Sequence, residues 1–225
     1  MSDIRFKPFH TSSGYQAVEG TKYGEIFTME WVQAHIARGN AFQIAVGAFS
    51  TPIVGGGNGT IIDLDQPEFL LSVPSGKAIF PFRVHAQVQP SSTAPTDADE
   101  SEILFGVDRT QALTLATATA ETAFNMRTDN IRSSTVTCSS AHTADITAPA
   151  TPALGIELAR AVKLAEVTTA AGYVQSQFEL LYAPSSIPML VGPCSLLGYW
   201  GGTLAVSGFA QVHWIELATA DFPSS

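Results

Sequence analysis

Apolar and polar positions alternate with a period of two along most of this chain, a spacing that puts one set of side chains on each face of a β-strand. The clearest run is 79–89: Phe80, Phe82, Val84, Ala86 and Val88 face one way, and Pro81, Arg83, His85, Gln87 and Gln89 the other. Pro81 has no N–H to give a ladder, which predicts a bulge or an edge position. Phe42, Ile44, Val46 and Ala48 share a face of an earlier strand that ends at Thr51, Pro52 and the glycine run 55–59. Further strands are predicted at 68–73, at 102–108 with Ile103, Phe105 and Val107 inward, at 131–138, and at 175–182 with Phe178, Leu180 and Tyr182 inward. The segment 154–167 is rich in helix formers, yet Leu154, Ile156, Leu158, Val162 and Leu164 fall at even spacing. Packing pattern overrides propensity, so it reads as a strand, forming a hairpin with 175–182. The Thr/Ala-rich stretch 109–128 reads as a surface excursion or a weak edge strand.

The segment 190–217 closes the pattern. In its last part Ala210, Val212 and Trp214 fall on one face and Phe209, Ile215 and Leu217 on the other, with Gln211 and His213 between them. A strand apolar on both faces is covered on both, so this final element is expected either to insert between earlier strands or to be buried by a partner. The segment 28–38 reads as one short helix, capped by Thr28 and ended by Gly39, although Met29, Trp31 and Gln33 also fit a strand. Residues 1–24, with Pro8 and several glycines, read as an extended arm anchored by Phe6, Phe9 and Tyr15. The expected organisation is an N-terminal arm and short helix over 1–39, a β-sandwich over 40–217 and a tail over 218–225. Eight to ten strands, uneven loops and no internal repeat predict an all-β, jelly-roll-like antiparallel β-sandwich.

Charge changes this picture. Only 14% of the 225 residues are charged, against about 25% in an average domain. So large an uncharged surface predicts burial against other subunits. The net charge is −9, and neither Lys nor Arg follows Lys163. Neutralising a nucleic-acid backbone requires clustered cations, so direct nucleic-acid binding is not expected. A basic membrane-surface helix is absent as well. No apolar run is long enough to span a bilayer, and the first residues lack the apolar core of a secretory signal. The expectation is a chain made in the cytoplasm. Cys138 and Cys194 have no metal spacing and read as two buried free thiols.

Candidate chemistry is sparse. His10, His35, His85, His142 and His213 form no metal-binding spacing; His85, His213 and Glu216 could meet on adjacent strands, but a structural role is expected. Glu157, Glu179 and Glu216 fall on polar strand faces and are expected to be exposed. Asp97, Asp99, Glu100 and Glu102 read as a solvated acidic loop rather than a Ca²⁺ site. The glycine run 55–59 lacks the Lys-Ser/Thr of a phosphate loop and reads as a flexible connection. Ser195 lacks a nucleophile elbow. No catalytic residue, metal or cofactor is assigned. Tyr199, Trp200 and Trp214, beside Gly198, Gly201 and Gly202, are the candidate ligand or interface aromatics; the competing expectation is that they fill the core.

The strand VPSGKAIFPFRVHAQVQ, the loops rich in small residues and the terminal GGTLAVSGFAQVHWIEL together resemble jelly-roll virion structural proteins of bacterial and archaeal viruses, bacteriophages included. The resemblance covers 40–217. It implies a non-enzymatic capsid or capsid-associated subunit, located in the virion and partnered by other virion proteins, that self-associates as a trimer or larger assembly. The N-terminus departs from capsid proteins with basic, genome-binding arms. A carbohydrate-binding or host-attachment module, with Tyr199 and Trp200 in its site, is the alternative expectation.

Overall fold

The computed structural model describes residues 5–6, 16–17, 30–58, 62–90, 100–140, 145–147, 152–164, 178–202 and 206–222. Two short strands, β1 (Arg5–Phe6) and β2 (Gln16–Ala17), pair with each other. The helix α1 (Trp31–Ala37) follows. The strands after it are β3 (Ala41–Val46), β4 (Ile53–Val54), β5 (Gly57–Asn58), β6 (Phe69–Val73), β7 (Lys77–Pro90), β8 (Glu100–Asp108), β9 (Thr119–Glu121) and β10 (Phe124–Asn125). The last are β11 (Thr137–Ser140), β12 (Leu154–Leu164), β13 (Phe178–Tyr182), β14 (Leu190–Val191), β15 (Cys194–Gly202) and β16 (Val206–Ala218).

Two sheets face each other. The first runs β10-β3-β16-β7-β13 and the second β12-β8-β15-β6-β11-β9. Their principal strands are β3, β6, β7, β8, β12, β13, β15 and β16. Taken in that order, the first, eighth, third and sixth are neighbours in one sheet, and the second, seventh, fourth and fifth in the other. This is the connectivity of a jelly roll. Apart from β8 to β12, every step between successive principal strands changes sheet. The closing segment is therefore the short β14, paired with β7, followed by two long strands, β15 at the centre of the second sheet and β16 inserted between β3 and β7 of the first. Neither sheet can be completed before they arrive.

The core lies where inward faces meet. Phe42, Ile44, Val46, Val84, Ala86, Val88, Val212 and Trp214 from the first sheet pack on Phe69, Leu71, Ile103, Phe105, Leu196 and Trp200 from the second. The Phe42 and Trp214 rings stack with centroids 6.0 Å apart. Phe178, Leu180 and Tyr182 pack inward at the edge, as their alternation predicts.

Several expectations are corrected. The register of β16 on β7 passes from His213–Arg83 to Trp214–Pro81, so a bulge sits beside Pro81 in an interior strand. The bulge reverses the faces: Phe80 and Phe82 leave the main core and join Ala41, Ala78 and Ile215 on the outer side, under Val32 and Ile36 of α1. The segments 154–164 and 178–182 do not form a hairpin; β12 pairs with β8 and β13 with β7, in opposite sheets. Register shifts in β12 break its even spacing, leaving Val162 exposed. Ala48 is exposed beyond the end of β3. The predicted strand 131–138 is regular only from Thr137, and Ile131 is fully exposed. The helix begins after Glu30, which makes no side-chain capping bond; Thr28 lies outside the described residues. Gly39 ends it at φ +72°, the left-handed conformation that glycine adopts without a Cβ penalty.

Candidate functional site

The three aromatics singled out in the sequence are all buried, each with 0% exposure. Trp200 and Trp214 point between the sheets; Tyr199 points outward from β15 but lies beneath a layer of loops. The Tyr199 hydroxyl donates to the Leu64 carbonyl at 3.0 Å, and Trp200 Nε1–H donates to the Ile53 carbonyl at 3.0 Å. Among the described residues Trp214 Nε1 has no hydrogen-bond partner. These rings are core, and none presents an open face on which a sugar could stack or a subunit dock.

Nor do the strand-borne titratable groups converge. His85 Nε2 lies 3.0 Å from Glu179 Oε2, while His213 sits edge-on to Phe82 on the neighbouring strand. Burial, with the Arg83 charge, lowers the His213 pKa. Burial, with Arg38, does the same for His35, whose Nδ1 lies 3.3 Å from Asn40 Nδ2. His10 and His142 lie outside the described residues, as do Asp97 and Asp99 of the acidic loop. Among the described residues no group of three or more His, Cys, Asp or Glu side chains is placed to hold a metal ion.

Glu216 is a correction: expected on an exposed face, it is 0% exposed. Its carboxylate accepts from the Ser134 hydroxyl (2.5 Å), the Thr135 hydroxyl (2.8 Å) and the Thr135 N–H (3.0 Å). Of the backbone donors in 131–136, Thr135 N–H goes to this carboxylate, Val136 N–H to Ser134 Oγ and Arg132 N–H to Asn130 Oδ1, so side chains take the place of a ladder there. The sequence reading missed two further buried carboxylates. Asp108 accepts from Thr110 N–H at 2.7 Å and Ala153 N–H at 2.9 Å; its Asp-x-Thr spacing, typical of an Asx turn, was a usable signal. Glu68 accepts from the backbone of Gly56 and Trp200, and nothing in its sequence neighbourhood announces it. All three fasten an irregular segment to a strand, a structural task.

The two outer faces differ. On the second sheet Ile62, Leu113 and Ile146 cover Leu70, Leu104, Leu197 and Tyr199. Leu113 is gripped at both ends of its peptide: its N–H donates to Ser195 Oγ at 2.7 Å, and its carbonyl accepts from the Ser72 hydroxyl. Ser195 thus anchors a loop. On the first sheet, among the described residues, α1, Met126, Ile187 and Phe222 cover the end near Phe80 and Ile215. Across the rest, Gln43 and Ala45 of β3, Gln211 of β16 and His85 and Gln87 of β7 line up by register on the outer side. The charged residues on the strands of this open part are Arg83 and Glu179. Phe124 (62%), Phe49 (72%) and Leu181 (53%) are exposed around it. At one end a shallow depression, with room for about one water molecule, lies between Phe49, Pro52, Gln87, Ser207 and Phe209. A face of amides, imidazole and aromatic rings with so few charges sheds water at less cost than one carrying many ions. It is the candidate interface of the molecule. No family model, curated protein or solved structure significantly matches this chain.

Proposed function

We propose that the chain is a structural subunit of a virus particle, a capsid or capsid-associated protein that self-assembles and contacts other virion proteins. The observation that carries this reading is the asymmetry of the jelly roll: one outer face is sealed by its own loops, and the other is left largely open and nearly without charge. Burying that face between copies removes apolar and amide surface from water without stranding ions. The low overall charge fits the same mechanism. The excess of acid, with no cationic cluster, suits a shell that touches other protein rather than nucleic acid.

Light scattering on the purified chain at neutral pH, followed by negative-stain electron microscopy, tests the proposal. Trimers, capsomers or closed shells are the expected result. A strict monomer at high concentration would overturn it.

A further inference from the structure

We infer that Lys163 guards the outer edge of β12 against pairing with the same edge of a second copy, so that copies of this chain meet through other surfaces. The inference does not rest on the assembly reading; it limits which surfaces an assembly can use. Four strands end the two sheets. Three of them are short: β10 has two residues, β9 three and β13 five. β12 has eleven, and among the described residues no strand pairs with its far side. A long edge strand presents a row of N–H and C=O groups that can template the pairing of another chain.

The first half of that edge is interrupted by its own geometry. Register shifts between Leu154 and Ile156 and between Glu157 and Ala159 break the ladder with β8. Such irregularities bend a strand and spoil its fit to a straight partner. The stretch 159–164 is regular and pairs one to one with 100–105. There the side chains decide. Arg160 and Val162 lie on the outer face, where the Arg160 guanidinium is bonded to Glu157 and Glu102. Ala159, Ala161 and Lys163 lie on the core side, opposite Phe105, Ile103 and Ser101, all three of which are buried. Opposed residues of an antiparallel pair point to the same side, so a charge stands in line with two alanines of the core face. Lys163 is half-buried: a lysine on the inner side of an edge strand reaches water by extending past the edge. A strand added along β12 closes that exit and strips water from the ammonium. The charge therefore costs little while the edge is open and much once it is covered.

The test follows wild type, Lys163→Arg, Lys163→Gln and Lys163→Val by sedimentation over a concentration series. Thermal melts establish folding, and amide hydrogen exchange locates the contact. Lys163→Arg keeps the charge and is expected to match wild type. Lys163→Gln and Lys163→Val are expected to associate about tenfold or more tightly at unchanged melting temperature, with new protection of amides in 159–164. Uncharged variants that associate no more tightly than wild type would overturn the inference, as would tighter association without new protection in 159–164. Wild type whose 159–164 amides gain protection as it assembles would overturn it too, because the edge would then be a native contact. Each of these results leaves the assembly reading standing, since the sedimentation of wild type decides that separately. If Lys163→Val fails to fold, Lys163→Gln decides.

Discussion

One carboxylate joins Glu68 to Trp200: its Oε2 accepts the Trp200 N–H at 2.8 Å, while Oε1 accepts the Gly56 N–H at 2.6 Å. The glycine run is thereby tied to the central strand of the second sheet. A Cβ at Gly55 would fall on the Trp200 carbonyl oxygen, so glycine is required for that approach. Read in the sequence as a flexible connection, the described part of the run is instead laced into the sheet.

Glu68 makes stability depend on pH. Burial pushes its pKa well above the ordinary 4.5, against the lowering effect of the amides that bond it. Below the unfolded value both states hold the proton and the contribution is complete. As pH rises the unfolded chain loses its proton first, so stability falls up to the folded pKa, by about 1.4 kcal/mol for each unit of displacement. Glu68→Gln removes this dependence. In denaturation series from acidic to alkaline pH, the advantage of wild type over Glu68→Gln is expected to shrink steadily. A difference constant with pH would refute the account.

The two buried tryptophans of the core differ in one bond. Trp200→Phe strands the Ile53 carbonyl, which now accepts the indole N–H, whereas Trp214→Phe removes a donor that has no partner among the described residues. Both changes vacate similar volume. Trp200→Phe is expected to cost about 1–3 kcal/mol more, the penalty of an unmet buried polar group. Urea titration of both variants checks the ordering, and equal losses would contradict it.

The architecture was legible wherever one face of a strand is uniformly buried. Ile103, Phe105 and Val107, or Phe42, Ile44 and Val46, give an unbroken period of two. Trp214 and Ile215 on opposite faces of β16 signalled an inserted strand. Errors arose where the ladder is interrupted. The bulge at Pro81 transfers Phe80 and Phe82 to the other side, and a pattern read without register cannot see that. The polar segment before Thr137 looked like strand because its alternation is real, but its donors go to side chains: Thr135 N–H to Glu216, 81 residues away, Val136 N–H to Ser134 and Arg132 N–H to Asn130. The open face escaped notice because Gln43, Gln211 and Gln87 are unremarkable singly and become a surface only through strand order. Tyr199 and Trp200 were chosen for their chemistry, and burial removed them from consideration.

Glu216 should behave as a fastening and not as a surface acid. Glu216→Ala leaves the Ser134 and Thr135 donors unmet beside the core and is expected to destabilise the fold by about 3 kcal/mol, with Glu216→Gln intermediate. Glu157, paired with Arg160 on the exposed side of β12, serves as the contrast: Glu157→Gln is expected to cost under about 0.5 kcal/mol. Hydrogen exchange localises the effect. The Thr135 amide should lose protection in Glu216→Ala before the β16 amides do, and uniform loss across the chain would show that the bond to 131–136 has no local role.

The two thiols set chemistry against local opening. Burial raises the Cys138 pKa to about 12 and the Cys194 pKa to about 11. At pH 8 the thiolate fractions are then about 10⁻⁴ and 10⁻³, so reaction through the native state favours Cys194 about tenfold. Position favours the other. Cys194 begins β15, opposite Val73 of β6, in a strand held between β6 and β8, whereas Cys138 lies on β11, flanked on its outer side among the described residues by the three residues of β9. A tenfold preference is worth about 1.4 kcal/mol, and outer strands open locally at a cost several kcal/mol below that of a central one. Local opening therefore wins. Native protein should show no prompt reaction with a disulfide reagent at pH 8; slow modification, mapped by mass spectrometry, should reach Cys138 first, and both thiols should react at once in urea. Modification of Cys194 first would mean that β11 is held as firmly as the sheet centre.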